Sequence, residues 1–107
     1  MRLTKKLLER CRKIVKLTDW KQVERELAGC SYTRYERYGT GPKGRFRALV
    51  YQGGPKLPWI STVDEVTKSE QYRYALDSLY GSKTRTGAQR AITPWLIFRA
   101  GRLGVSG

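Results

Sequence analysis

The sequence predicts an α+β fold: an N-terminal helical hairpin, a small antiparallel sheet, one further helix and a basic C-terminal segment. Three observations support this prediction. Apolar residues recur at helical spacing over residues 1–30, Tyr and Thr alternate with other residues after that, and a capping signal at Thr67 opens another apolar stripe. The 107-residue length suits one small basic domain spanning residues 1–107.

The first helix is predicted over residues 5–16, with Thr4 as its N-cap. One side of this helix is apolar: Leu3, Leu7, Leu8, Cys11, Ile14 and Val15. The rest of its surface is basic: Lys5, Lys6, Arg10, Arg12, Lys13 and Lys16. The pattern indicates a basic amphipathic helix that packs its apolar side on the core.

A second helix is predicted to begin at Thr18 and to end at Gly29, with Trp20, Val23 and Leu27 on its inner side. Together the two helices form the predicted helical hairpin of residues 1–30. In such a hairpin Cys11 and Cys30 lie too far apart for a disulfide, so we expect two free thiols, with Cys11 in the core.

A Tyr- and Arg-rich sheet is predicted over residues 31–63. Residues 31–38 alternate in the manner of a strand, residues 39–44 form a Gly- and Pro-containing turn, and residues 45–51 form the return strand of a β-hairpin. Residues 59–63 suit a short third strand.

A helix is predicted over residues 64–81, because Thr67 and Glu70 form a capping box and Gly81 can end the helix. Its apolar side would hold Tyr72, Ala75, Leu76, Leu79 and Tyr80. Residues 82–107 are interpreted as a basic tail or terminal element. Within them, residues 82–89 resemble a loop, and Thr93 with Pro94 either opens a last helix or precedes a buried strand.

The charge is the strongest indication of function. The chain has 22 Lys and Arg against 9 Asp and Glu and no His, a net charge of +13. The charge is +5 over residues 1–30, +5 over 31–60, −2 over 61–80 and +5 over 81–107. Repulsion among so many like charges opposes compaction, so a net charge of this size indicates a polyanionic partner. The three basic segments can converge on one face.

Nucleic acid, DNA or RNA, is the partner that we predict, bound without catalysis. The predicted phosphate ligands are Lys5, Lys6, Arg10, Arg12, Lys13, Lys16, Arg34, Arg37, Lys43, Arg45, Arg47, Lys83, Arg85 and Arg90. The predicted stacking residues are Tyr32, Tyr35, Tyr38 and Tyr51. Charge reversal of Arg45 and Arg47 should then abolish binding. Oligomeric state and strandedness stay open at this point.

Two alternatives compete with nucleic-acid binding. The chain could be an inhibitor or adaptor, of the kind that phages and other mobile elements encode, that docks on an acidic host protein through Trp59, Trp95 and Phe98. Core packing is the plainer interpretation of these aromatics. The second alternative is a metal-dependent nuclease using Asp64, Glu65, Glu70 and Asp77. Against it, Glu70, Arg73 and Asp77 are spaced as a row of surface ion pairs on a helix.

The sequence predicts no cofactor and no structural metal, because it lacks His and has only two Cys. The N-terminus has no apolar run typical of a signal peptide, and no segment reaches the length of a membrane span. We therefore expect a cytoplasmic protein, or a nuclear one in a eukaryotic host, with no membrane partner.

Overall fold

A curled antiparallel sheet of six strands dominates the structure, with one helix at each end of the chain. The structure is a computed structural model and describes residues 3–67 and 75–102. The elements in chain order are α1 (Lys5–Arg12), β1 (Lys16–Leu17), β2 (Lys21–Leu27), β3 (Cys30–Gly41), β4 (Gly44–Gln52), β5 (Trp59–Val66), β6 (Asp77–Ser82) and α2 (Arg85–Gly101).

The sheet is a meander. The strand order is β1-β3-β4-β5-β6, and β2 pairs with β3 on the same edge as β1. Every pairing is antiparallel, and one irregularity in register occurs at Trp59 and Ile60. Two residues join β2 to β3 and two join β3 to β4, as antiparallel pairs allow.

The predicted N-terminal helical hairpin is wrong. The first helix begins after its predicted cap, since the Thr4 hydroxyl accepts a hydrogen bond from the Leu7 amide at 3.2 Å, but the helix ends at Arg12. The second predicted helix is strand β2, which pairs with β3 from Lys21 opposite Glu36 to Leu27 opposite Cys30. Its ladder with β3 satisfies the backbone groups that a helix would have satisfied internally.

The predicted hairpin of residues 31–51 is present as β3 and β4, and the third strand is present as β5. The prediction of a helix over residues 64–81 is wrong, because both described ends of this segment are strands. Asp64 to Val66 complete β5, and Asp77 to Ser82 form β6, which pairs with β5. The proposed capping partner Glu70 and the residue Tyr72 lie outside the described residues.

The C-terminal segment contains a terminal element, as one form of the prediction had it, but this helix begins before the predicted start at Pro94 and includes part of the predicted loop of residues 82–89. Helix α2 begins after Thr84, whose hydroxyl accepts a hydrogen bond from the Gly87 amide at 3.0 Å, and it runs through Pro94 to Gly101. Pro94 cannot donate to the carbonyl four residues earlier and normally disfavours a helix interior. Burial of the helix compensates, because one side of it supplies half of the core.

The core lies between α2 and one face of the sheet. It contains Phe46, Ala48 and Val50 of β4, Val63 of β5, and Ala88, Ile92, Leu96 and Ala100 of α2. We call the side of the sheet toward α2 the helix face and the opposite side the open face. Among the described elements, α2 contacts β3 to β6, while α1 packs on α2. No described helix is both long and apolar enough to cross a membrane.

Both cysteines are free, as expected, with Cys11 buried and Cys30 exposed. The helical hairpin from which free thiols were predicted is not the reason, because Cys30 begins β3 rather than following a helix.

Candidate nucleic-acid interface

Strand alternation divides the basic and aromatic residues of the hairpin between two faces. In β4, Phe46, Ala48 and Val50 point to the core, so the residues between them belong to the open face. Cross-strand partners share a face, and the register extends the open face to all neighbouring strands. The predicted site residues on the open face are Lys16, Tyr32, Arg34, Tyr38, Arg45, Arg47 and Tyr51.

Lys21 and Arg25 also belong to the open face, opposite Glu36 and Tyr32. Neither residue was among the predicted phosphate ligands, because the apolar spacing of their segment indicated a helix. Over β1 to β5, this face carries six basic side chains against two acidic ones, Glu36 and Asp64. Glu24 and Glu26 point to the other side of β2, so they do not add negative charge to the open face.

Glu36 is a buried carboxylate at the centre of the open face. Its Oε2 accepts a hydrogen bond from Arg34 Nε at 2.6 Å and lies 3.9 Å from Arg25 Nη2. Its Oε1 accepts from the Tyr38 hydroxyl at 3.2 Å. This network holds Arg34 in place, while the Arg25 side chain stays half exposed.

Arg47 and Asp64 form the other charged contact on this face, and both are buried. Arg47 Nε donates to Asp64 Oδ1 at 3.1 Å and Nη2 to Oδ2 at 2.6 Å. Burial raises the pKa of Asp64, and the hydrogen bond and charge of Arg47 oppose that rise. The predicted phosphate ligand Arg47 is thus engaged within the fold.

Two of the predicted stacking residues come together in one cleft. Tyr32 and Tyr51 line a cleft of about 420 Å³ on the open face, with Arg34, Leu49, Gln52 and Gly53. We call it the tyrosine cleft. Both tyrosines are half-buried, so each ring is partly held and partly accessible. The volume lies within the range of small-ligand sites.

In each of the other two tyrosines an arginine lies over the ring. The Arg45 guanidinium lies over the Tyr38 ring at 4.3 Å. Tyr35 belongs to the helix face, where it packs against the core, its ring 4.6 Å from the Arg85 guanidinium and 6.2 Å from Trp59. Arg85 Nη1 also donates to the Tyr35 hydroxyl at 3.1 Å. Of the four tyrosines predicted to stack, Tyr32 and Tyr51 are therefore the two that line one cleft.

A second cleft, of about 380 Å³, lies where α1, β3 and α2 meet. We call it the arginine cleft; its lining residues are Arg12, Trp20, Arg37, Thr86, Gln89, Arg90, Thr93 and Pro94. It unites one predicted phosphate ligand from each of the three basic segments of the sequence. These three arginines do not belong to the open face.

The remaining predicted phosphate ligands are exposed. Lys5, Lys6, Arg10 and Lys13 are on or beside α1, Lys43 is in the turn between β3 and β4, and Lys83 precedes α2. The predicted ligands therefore divide among the open face, the arginine cleft and these exposed positions, and do not all converge on one face.

Three carboxylates of the nuclease hypothesis are described, and they lie apart; Glu70 is outside the described residues. Asp64 belongs to the open face and is bound by Arg47, whereas Glu65, its neighbour in β5, points to the helix face. Asp77 accepts two hydrogen bonds from Arg99, at 2.9 and 3.0 Å, rather than lying in a helical ion-pair row. In the described parts of the chain, no three potential metal ligands cluster.

The aromatic residues of the protein-docking hypothesis pack inward. Trp59 and Trp95 are half-buried against the core, and Phe98 is buried, with its ring edge-on to Trp95 at 6.3 Å. Their contacts with the core agree with the plainer interpretation of these aromatics.

No protein-family model, curated protein or solved structure matches this chain.

Proposed function

We propose that the protein binds single-stranded nucleic acid across the open face of its sheet, without catalysing a reaction. The observation that carries the proposal is the tyrosine cleft, where Tyr32, Tyr51 and Arg34 lie together on a face with six basic side chains. Tyrosine rings stack on bases only when those bases are unpaired, which favours a single strand over a duplex.

The parts of the face have separate roles in this proposal. Tyr32 and Tyr51 hold a base, for which stacking contributes about 1–3 kcal/mol. Exposed Arg25, opposite Tyr32, contacts a phosphate beside that base, and exposed Lys21, Arg45 and Lys16 contact phosphates further along the strand. Glu36 binds Arg34 and thereby keeps it beside the cleft.

Fluorescence anisotropy with labelled single- and double-stranded DNA and RNA, over about 50–300 mM salt, tests the proposal. We expect a single strand to bind more tightly than the matching duplex, with log K falling linearly against log salt. Tyr32→Ala and Tyr51→Ala should each weaken binding about ten-fold or more and leave the salt slope unchanged, because stacking releases no counterions. Arg25→Gln should reduce the slope.

Tyr80→Ala is the matched control. Tyr80 lies on the same face in β6, is 74% exposed and does not line the cleft. Equal losses for Tyr80→Ala and Tyr32→Ala would overturn the proposal, as would tighter binding of duplexes or equal binding of heparin. Equal binding of heparin would make the alternative of an acidic protein partner the one to pursue, by cross-linking.

A further inference from the structure

We propose that the arginine cleft is a second binding site, specific for the phosphate group of a nucleotide, either free or at the end of a strand. It lies at the junction of α1, β3 and α2, away from the open face, and does not rest on the function proposed for that face. Arg12, Arg37 and Arg90 converge there, and none of the described residues that line it is acidic.

Arg37 is the residue of this cleft whose partners differ most from those of the other buried arginines. Among the other described arginines that are at least partly buried, Arg34, Arg47 and Arg99 each bind a carboxylate at 2.6–3.1 Å, and Arg102 lies 5.8 Å from the Phe98 ring centroid. Arg37 is half-buried as well, yet its Nε donates to the Thr18 carbonyl at 2.8 Å and its Nη1 to the Thr93 hydroxyl at 3.4 Å.

The neutral partners leave the Arg37 charge without a contacting carboxylate. Among the described residues no hydrogen bond engages its Nη2. Burial lowers its pKa, and the charge of Asp19 opposes that change. A cation withdrawn from water in this way gains more from an anion than an exposed one does.

The cleft also has the geometry of a prepared site. Thr93 is itself fixed, because its hydroxyl donates to the Gln89 carbonyl at 2.8 Å, so the contact that positions Arg37 is built into α2. Trp20 packs against the core, and Arg37 lies 5.8 Å from its ring centroid. Exposed Arg12 and Arg90 add forked donors that match phosphate oxygens. Trp20 adds an aromatic surface beside them, which favours a nucleotide over an isolated phosphate ion.

Nuclear magnetic resonance titration of the full chain tests the site, followed at the Trp20 indole and Arg37 Nε–H resonances. We expect saturable shifts with 5′-AMP and none with adenosine. Arg12→Gln and Arg90→Gln should each weaken binding about ten-fold, as expected for a charge-assisted contact. Arg37→Lys should weaken it although the charge is kept.

Arg10→Gln is the control, because Arg10 is exposed on the same helix as Arg12 but does not line the cleft. If Arg10→Gln weakens binding as much as Arg12→Gln, or if adenosine shifts these resonances as AMP does, the proposal is wrong. A parallel titration with a 5′-phosphorylated and a 5′-hydroxyl hexanucleotide identifies the source of the phosphate. If the phosphorylated strand binds the cleft more tightly than AMP does, the site recognises strand ends. If the phosphorylated strand and AMP bind with equal affinity, the site recognises free nucleotides.

This outcome is separable from the function proposed for the open face. Tyr32→Ala should leave AMP binding at the arginine cleft unchanged, and Arg12→Gln should leave the affinity for 5′-hydroxyl strands within about two-fold, since Arg12 lines the arginine cleft and does not belong to the open face.

Discussion

Arg47 and Asp64 face each other across β4 and β5 and form a buried, two-pronged ion pair. Removal of one partner leaves the other charged, buried and unpaired. Arg47→Met should therefore lower the free energy of unfolding by about 3–5 kcal/mol, measured by urea denaturation. Replacement of both partners, Arg47→Met with Asp64→Leu, should recover most of that loss.

Arg45→Met is the control for this prediction, because Arg45 is exposed on the same strand and lies over the Tyr38 ring. Its loss should cost about 1 kcal/mol or less, the size of an exposed cation–π contact. Equal losses for the two variants would show that the pair does not stabilise the fold. The same geometry revises the sequence-based test: Arg47→Glu would disrupt folding rather than report on nucleic-acid binding, so charge reversal should be confined to Arg45 and Arg25.

The ionisation of Asp64 is a second measurable property of this pair. Burial raises its pKa above the ordinary aspartate value, so the folded state holds the proton more tightly than the unfolded state does. The contribution of this group to stability is greatest below the unfolded pKa and is lost as pH rises through the folded pKa. Carboxyl ¹³C resonances should report the raised value directly. Arg47→Met should raise it further, since Arg47 opposes the rise; an unchanged value would contradict this account.

The strand β2 illustrates what local sequence leaves open. Lys21, Val23 and Arg25 alternate with their neighbours, which is a strand signal, but Trp20, Val23 and Leu27 also satisfy helical spacing. Pairing with β3 decides between them, and that partner lies on the far side of a turn. Because this segment was interpreted as a helix, Lys21 and Arg25 could not be assigned to the basic face.

The helix α2 was more accessible from sequence. Ala88, Ile92, Leu96 and Ala100 recur at every fourth position, which is the stripe that packs on the sheet. Pro94 obscured it, since proline usually marks a helix start or end. The hairpin of β3 and β4 was predicted because its signals are local. The division of this hairpin into two faces follows from the alternation of its residues. The pairing of Arg47 with Asp64 could not be predicted in this way, because it depends on the register of β5 against β4.

The turn between β2 and β3 has a backbone conformation that disfavours one of its two residues. Ala28 and Gly29 connect the strands with positive φ at both residues, 53° and 81°, as in a type I′ turn. An alanine is strained there, whereas asparagine tolerates the conformation. Ala28→Asn should raise the free energy of unfolding by about 0.5–1 kcal/mol.

Gly29→Ala is the opposing variant. No atom lies within 4 Å of a Cβ placed at Gly29, so only the backbone conformation can disfavour alanine there. Urea denaturation should show destabilisation by Gly29→Ala and stabilisation by Ala28→Asn. Changes of the same sign would exclude this turn geometry.

The contact between α1 and α2 depends on the absence of a side chain at Gly101. A Cβ there would lie 2.7 Å from Cys11 Cβ and 2.8 Å from Val15 Cγ2. Alanine normally stabilises a helix relative to glycine, but here Gly101→Ala should destabilise the fold by about 1–3 kcal/mol through overpacking. Gly53→Ala is the control, because the nearest atom to its Cβ, Leu57 Cδ1, lies at an ordinary 3.5 Å. A stabilised Gly101→Ala variant would contradict the close approach.

The two thiols report on the same contact. Cys30 is exposed, whereas Cys11 is buried and its pKa is raised by burial, which lowers the fraction of reactive thiolate. A disulfide reagent should modify Cys30 rapidly and Cys11 more than about ten-fold more slowly, because Cys11 reacts only when α1 separates from α2. Cys30→Ser should retain only the slow phase, and Gly101→Ala should accelerate it. Equal rates for both thiols would mean that α1 is not held against α2 at Cys11.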